Sequence, residues 1–209
     1  MDPKPPSPIL YTVGHSNRTS EEFLELLRAH GIKRIVDVRT VPKSRRVPWF
    51  NEENLAPALN KAGFRYAHLP ELGGLRQPRE DSTNLGWKNE TFRGFADYMA
   101  TPEFGKGLEK LNAMLGDLKT AVMCAEAVPW RCHRSLIADA ETARGVPVEH
   151  LLSPHSRQAH EMTSFAVLDR KTKPPKVNYP AQEKEKDQPV LPGMPPSATK
   201  KKPTKKSQP

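Results

Sequence analysis

The feature that most constrains this chain is a regular alternation of short apolar segments with longer amphipathic ones. Five short segments are rich in apolar residues, and helical spacing of apolar residues recurs between them. The five predicted strands are Ile9–Gly14, Arg34–Arg39, Arg65–Leu69, Thr120–Cys124 and Val146–Leu152. Alternation of this kind is typical of a mostly parallel sheet covered by helices. The sequence therefore predicts a single α/β domain with about five strands and helices on both faces.

Local signals mark where the predicted helices begin and end. Thr19, with Glu22 three residues later, forms a capping box, and Gly31 ends that helix. Thr101 followed by proline begins another helix, and a further helix is predicted from about Cys132 to Arg144. Because crossovers between parallel strands are right-handed, the strand-to-helix loops are expected at one edge of the sheet.

Both ends of the chain differ in composition from the middle. Four of the first eight residues are proline, and residues 169–209 hold eleven Lys and Arg against four Asp and Glu. That stretch carries +7 of the net charge of +9, and it has too little apolar surface to offset the entropy of ordering. We predict a disordered lead over 1–8, an α/β domain over 9–168 and a disordered Pro/Lys-rich tail over 169–209.

Several classes of protein are excluded by composition. No apolar run approaches the ~18 residues of a transmembrane helix, so we expect no membrane association. The N-terminal residues lack the apolar stretch of a secretory signal, and the two cysteines cannot build a disulfide scaffold. We therefore expect a cytoplasmic protein whose thiols are reduced.

Ionisable side chains lie in or directly after four of the predicted strands. In open parallel sheets, ligands bind beyond the carboxyl ends of the strands, so these side chains are expected to line one shared cavity. The candidates, in chain order, are His15, Ser16, Asp37, Arg39, His68, Glu71, Cys124, Glu126, Arg131, Cys132, His133 and Arg134.

The loop after the fourth strand is predicted to be the most reactive part of this cavity. A thiol in the first turn of a helix, beside Arg and His, is favoured as a thiolate and so as a nucleophile. Cys132 and Cys124 are both candidates for this role, and for each the alternative is an inert buried residue. The candidate acid–base groups are His15 and His133, and the candidate orienting carboxylates are Asp37 and Glu126.

Arginine side chains and a helix N-terminus suit an anionic ligand. We expect Arg39, Arg131 and Arg134 to contact the substrate, and Asp37 either to serve the site or to pair structurally with Arg39. The remaining predicted substrate contacts are Ser16, His68 and Glu71.

Sulfur and imidazole groups in the same loop raise the question of a metal. Cys124, Cys132 and His133 are ligand types that zinc prefers. However, sequence neighbours such as Cys132 and His133 rarely face one ion, and paired spacings typical of zinc sites are absent from the sequence. Walker and dinucleotide-binding motifs are absent as well. The sequence therefore predicts neither a metal nor a cofactor.

Two leading functions remain open, and a third possibility is a partner-binding protein whose polar cluster only stabilises loops. One is an enzyme, a hydrolase or group transferase, acting on an anionic, phosphate-bearing nucleotide or nucleic acid through the Cys/His/Arg cluster. The other is a non-catalytic protein that binds nucleic acid or nucleotides, with the basic tail adding affinity for phosphate backbones. Residues 1–168 carry a net charge of only +2, which offers little basic surface and favours the enzyme. The oligomeric state is left open.

Four motifs in chain order also carry a family resemblance. They are Tyr11–Arg18, Val36–Arg39, His68–Gly74, and Cys124–Glu126 with Cys132–Arg134. Together they resemble the bacterial and archaeal family known as domain of unknown function 488, from about residue 9 to 153. The resemblance implies an α/β domain with these same site residues and no settled activity. Some members carry DNA-repair labels, which connects the binding alternative with DNA repair.

Overall fold

A six-stranded sheet forms the centre of the structure, a computed structural model in which residues 8–182 are described. The strands are β1 (Leu10–Gly14), β2 (Arg34–Asp37), β3 (Arg65–His68), β4 (Thr120–Cys124), β5 (Val148–Ser153) and β6 (Ser156–Ala159). Their order is β3-β2-β4-β1-β5-β6, and only β6 pairs in the antiparallel direction within this sheet. The predicted α/β class and mostly parallel sheet are therefore confirmed.

Helices cover both faces of this sheet. They are α1 (Ser20–Ala29), α2 (Glu52–Lys61), α3 (Glu90–Tyr98), α4 (Pro102–Asn112) and α5 (Arg134–Ala143). One buried cluster contains Phe23 of α1 and Leu59 of α2, whereas a second contains Phe95, Leu108 and Leu136 of the other three helices. Burying each such side chain contributes roughly 1.5–3 kcal/mol, so each helix is held by its apolar stripe.

The predicted helix starts are confirmed for α1 and α4. Thr19 Oγ1 accepts a hydrogen bond from the backbone N–H of Glu22, and the Glu22 carboxylate accepts one from the N–H of Thr19. Thr101 Oγ1 likewise accepts from the N–H of Phe104. These bonds satisfy N–H groups that would otherwise have no partner within the helix.

The start of α5 differs from its prediction. The helix begins at Arg134 rather than Cys132, whose backbone is extended with φ −138° and ψ 141°. A short 3-10 turn over Pro129–Arg131 comes first, closed by the N–H of Cys132 donating to the carbonyl of Pro129. The Cys132 thiol is therefore not in the first turn of the helix, and the prediction that placed it there is wrong.

The predicted domain boundary at residue 168 is also wrong. Strands β7 (Val167–Asp169) and β8 (Lys176–Asn178) form an antiparallel hairpin across that boundary. Tyr179 follows it with 0% of its surface exposed, and its hydroxyl donates to the carboxylate of Asp139 at 2.8 Å. One buried aromatic residue thus attaches a largely polar segment to the domain. The predictions for residues 1–7 and 183–209 lie outside the described residues.

The helices of residues 8–182 are all too short and too polar to cross a membrane.

Candidate functional site

A cavity of about 400 Å³ lies beyond the carboxyl ends of β1, β2 and β4. The loops that follow these three strands form most of its wall, as expected for a parallel sheet. Seven of the twelve predicted site residues line it: His15, Arg39, Cys124, Glu126, Arg131, Cys132 and His133. Segments that are far apart in the chain therefore bring their reactive side chains to one place.

The two cysteines and His133 form a compact group in this cavity, here called the thiol cluster. His133 Nδ1 lies 3.8 Å from the sulfur of Cys124 and 3.7 Å from that of Cys132. His133 Nε2 lies 3.2 Å from the carbonyl oxygen of Val38. Since a carbonyl only accepts, Nε2 carries a proton and donates it to Val38. Both sulfurs therefore face Nδ1, the ring nitrogen that carries no proton.

The expectation that Cys132 and His133 would face different points is contradicted. Their ligand atoms and the Cys124 sulfur all lie within 4.8 Å of one another. The cause is a change of backbone conformation, because Cys132 is extended and His133 is helical with φ −54° and ψ −17°. This turn brings two neighbouring side chains to the same side of the chain.

The two thiols differ in acidity although they are adjacent. The hydrogen bond from the Cys132 thiol, and then His133, hold the pKa of Cys124 well below its usual range. Burial, and then the neighbouring Cys124, raise the pKa of Cys132. Of the two thiols, Cys124 is therefore the one that loses its proton more readily.

Gly74 leaves the space that the His133 ring occupies. A Cβ atom at position 74 would lie 2.4 Å from His133 Nδ1, which is closer than real contacts allow. The Phe95 ring, with its centroid 5.0 Å from that of the imidazole, packs on His133 as well. The glycine pair at 73–74 was visible in the sequence, but only the structure shows which side chain requires it.

His15 is held by contacts on both ring nitrogens. Its Nδ1 donates to the carbonyl of Ser16 at 2.9 Å, and its Nε2 accepts from Arg39 Nη1 at 3.2 Å. The ring stacks on Phe50 with centroids 4.2 Å apart. Burial lowers the pKa of His15 to about 4, so the imidazole is neutral at pH 7. A neutral, fixed ring suits a hydrogen-bonding role beside the thiol cluster.

Arg39 is fixed from behind by Asp37. The buried Asp37 carboxylate accepts from Arg39 Nε at 2.9 Å and Nη2 at 2.5 Å, and from the Tyr66 hydroxyl at 2.9 Å. Arg39 also donates to the carbonyl of Phe50. Asp37 does not line the cavity, and so it orients the guanidinium rather than a catalytic group.

Residues 19–140 match the family model described as Domain of unknown function DUF488, which covers more than half of the chain. The chain belongs to this family. The match confirms the resemblance that the motifs indicated. No curated protein and no solved structure matches the chain.

Arg134, which lies in the part of the chain matched to the DUF488 family, does not contact the cavity. Its buried guanidinium donates to the backbone carbonyls of Glu126 and Ala127, the latter at 2.8 Å. The prediction that Arg134 binds a substrate anion is therefore wrong. The side chain instead fixes the loop after β4, which positions Cys124 and Glu126.

Three other predicted residues of this DUF488 protein lie outside the cavity. His68 Nε2 donates to the carbonyl of Arg39 at 2.8 Å, and Glu71 pairs with Lys110. Ser16 lines a shallower neighbouring depression and has a positive φ of 55°. These residues are polar because they hold the loops in place or form the turn after β1. Their position next to a strand end in the sequence could not distinguish such a structural role from contact with a ligand.

Sequence reasoning also missed part of the lining. Thr40, Ser44 and Thr91 bring hydroxyl groups to the cavity. Thr40 and Ser44 could have been found from their place after β2. Thr91 belongs to α3, and the long segment before that helix gives no local signal of where it will lie. Neither Lys43 nor Arg131 forms an ion pair within residues 8–182.

Proposed function

We propose that this protein is an enzyme, a hydrolase or group transferase, that uses the thiol cluster on an anionic substrate. The observation that carries the proposal is the position of Cys124, Cys132 and His133 in one cavity with Arg39 and Arg131. A sulfur nucleophile needs a neighbouring base and a site for the substrate's charge. This cavity supplies both.

Cys124 is the nucleophile in this proposal. Its proton passes to His133 Nδ1, 3.8 Å away, while Nε2 keeps its bond to the Val38 carbonyl. The thiolate attacks the electrophilic atom of the substrate, and the leaving group takes the proton from His133. Water then cleaves the covalent intermediate in a hydrolase, whereas a second acceptor does so in a transferase. The Cys132 thiol stabilises the Cys124 thiolate before the attack and again when the intermediate is cleaved.

The cavity favours a substrate with a negatively charged group, and we propose a phosphate-bearing nucleotide or nucleic acid. Arg39 is oriented by Asp37, and Lys43 and Arg131 add positive charge to the same lining. A volume of about 400 Å³ falls within the range of small-ligand sites. Backbone Glu126 and Ala127 carbonyls are occupied by Arg134, so they do not repel the anion.

The test is a pair of thiol measurements on purified protein. Iodoacetamide should alkylate Cys124 faster than free cysteine at pH 7, and peptide mass spectrometry should locate the label at that residue. Turnover of a panel of nucleotides and phosphate esters should be lost in Cys124→Ser, whereas Cys132→Ser should retain part of it. His155→Gln, at an exposed turn residue, is the control. Turnover that survives in Cys124→Ser would contradict the proposal.

A second candidate function is nucleic-acid binding without turnover, and one observation favours it. Trp130 has 61% of its surface exposed and precedes Arg131, which lines the cavity. An exposed aromatic ring beside a cation suits stacking on an unpaired base. Trp130→Ala should then weaken binding of a single-stranded oligonucleotide severalfold. The original protein should bind the oligonucleotide without altering it chemically.

A further inference from the structure

The sulfur-to-nitrogen spacing of the thiol cluster matches that of ligands around one metal ion. In a tetrahedral site with Zn–S of about 2.3 Å and Zn–N of about 2.0–2.1 Å, sulfur and nitrogen ligands lie about 3.6 Å apart. The two sulfur-to-Nδ1 distances are 3.7 and 3.8 Å. Both sulfur-to-nitrogen distances therefore lie within roughly 0.1–0.2 Å of the spacing expected around such an ion, and all three ligand atoms lie within 4.8 Å of one another.

The orientation of His133 suits coordination through Nδ1. Its Nε2–H is engaged by the Val38 carbonyl, which leaves the lone pair of Nδ1 facing the two sulfurs. Histidine ligands in metal sites commonly donate their other N–H to a backbone carbonyl in this way, which fixes the tautomer and the ring. Gly74 leaves room for the ring at this position. The backbone thus supplies the outer hydrogen bond that such a ligand needs.

The balance of charge also favours a divalent cation. Cys124 and Cys132 are both buried, and two thiolates without a counter-charge would be costly there. Two thiolates, one neutral imidazole and one divalent cation have no net charge. Sulfur ligands select soft or borderline ions such as Zn²⁺ over Mg²⁺ and Ca²⁺, which prefer oxygen.

We infer that Cys124, Cys132 and His133 form a binding site for a thiophilic divalent cation, represented by Zn²⁺, whose fourth coordination position faces the cavity. Within residues 8–182, these three side chains are the group of potential ligands that meets at this point. Three protein ligands and an accessible fourth position distinguish such a site from a closed structural one. The fourth ligand would be water or an anionic group of the substrate.

The inference goes beyond the proposed function, because it concerns binding at equilibrium rather than turnover. Cation binding displaces one proton from each thiol and forms two metal–sulfur bonds. The Cys124 sulfur cannot then attack a substrate, so the cation would reversibly block the proposed nucleophile. Turnover and cation binding can both occur in this protein if the cation dissociates from the thiol cluster before a substrate reacts.

The test is a titration of chelator-treated protein with Zn²⁺ and with Co²⁺. We expect one equivalent to bind, with release of protons and with cobalt–thiolate charge-transfer absorption. Cys124→Ser, Cys132→Ser and His133→Gln should each weaken binding by more than about 100-fold, since outer-shell partners alone contribute about 10–100-fold. His155→Gln should bind as the original protein does.

A measurement without variants guards against loss of folding. Bound Zn²⁺ should protect Cys124 of the original protein from iodoacetamide, and a chelator should restore its labelling. Unchanged labelling, or absence of stoichiometric binding at micromolar cation, would overturn the inference. Turnover by chelated protein that fails to bind Zn²⁺ would overturn the inference and support the proposed function. Zn²⁺ binding without turnover by either the chelated or the Zn²⁺-bound protein would support the inference and contradict the proposed function.

Discussion

Two histidine clusters of this molecule differ in how completely their polar atoms are bonded. The first is the thiol cluster, and the second is a buried network around Asp139. The Asp139 carboxylate accepts hydrogen bonds from His160 Nε2, from the N–H and hydroxyl of Thr163, and from the Tyr179 hydroxyl, all at 2.7–2.9 Å. Each donor comes from the segment that follows β6, so the carboxylate attaches that segment to α5.

The network continues through a second histidine. His160 Nδ1 lies 2.9 Å from His150 Nε2, and His150 Nδ1 lies 2.7 Å from the hydroxyl of Thr12. With His160 donating to Asp139, His150 donates to His160 and Thr12 donates to His150, so one arrangement of protons satisfies both rings. Such a network is complete, and it leaves neither ring with an unused donor or acceptor.

The thiol cluster is the contrasting case. Its contacts are long sulfur-to-nitrogen distances of 3.7–3.8 Å, against 2.7–2.9 Å in the network around Asp139, although residues of both clusters line a cavity. The comparison teaches that buried histidines beside polar partners do not by themselves indicate a site. Incomplete hydrogen bonding is the feature that separates the thiol cluster from the network around Asp139.

The largest expected effect is on stability, from Asp139→Ala. The change removes the acceptor of several buried donors, and each donor left without a partner costs about 1–3 kcal/mol. We expect the free energy of unfolding to fall by about 3 kcal/mol or more, measured by urea denaturation. The rate at which iodoacetamide labels the cysteines should stay unchanged in the folded fraction. A faster or slower rate would show that the two clusters are coupled.

The second prediction concerns acid. Burial, and then His160, lower the pKa of His150 to about 3, against an ordinary value of 6.5. Between these values the unfolded chain binds a proton that the folded protein does not, so this group costs stability as pH falls from 6.5 toward 3. The loss approaches about 1.4 kcal/mol per pH unit.

Comparison with His150→Gln isolates this contribution. Other groups change stability over the same range, and Glu141 acts in the opposite direction because burial raises its pKa to about 7. In urea titrations between pH 6.5 and 4, the variant should lose less stability than the original protein. Equal slopes for the two proteins would mean that His150 takes up its proton in the folded state as well.

The third prediction, Gly74→Ala, disturbs the thiol cluster alone. The new Cβ atom would overlap His133 Nδ1 and displace the ring, at a cost typical of overpacking, about 1–3 kcal/mol. Labelling of Cys124 should change severalfold, and cation affinity should fall. Gly105→Ala is the matched control, because a Cβ there meets open space within α4 and should stabilise the helix by about 0.5–1 kcal/mol.

The smallest effect on stability is expected for Arg131→Ala. Arg131 is exposed and without an ion-pair partner in the described part of the chain, so the free energy of unfolding should change by less than about 0.5 kcal/mol. Affinity for an anionic ligand, measured by calorimetry with a nucleotide, should nevertheless decrease. Unchanged affinity would remove Arg131 from the proposed binding surface.

Much of the fold was predictable because its signals are local. The capping box at Thr19 and the apolar spacing of α1 and α4 act within a few residues, and the parallel sheet follows from their alternation with strands. The buried position of Tyr179 was not predictable, because its partner Asp139 lies 40 residues away in the chain. Periodicity carries no information on such a contact.

The candidate site was predictable as a region and less so as a set of roles. Strand ends correctly placed His15, Arg39 and Cys124 together. Whether Arg134 faces the cavity or the carbonyls of its own loop depends on a rotamer, and the approach of Cys132 to His133 depends on one backbone turn. Residue type alone does not determine either.

Arg134 has a consequence for the shape of the cavity. Its hydrogen bonds to the loop after β4, together with the tight packing of that loop on Gly14, fix one wall of the cavity to the centre of the sheet. On the opposite wall, the Leu75 N–H donates to Thr40 Oγ1, and Gly73 packs closely on Thr40. The position of Cys124 at the end of β4 therefore depends on a side chain that does not itself line the cavity.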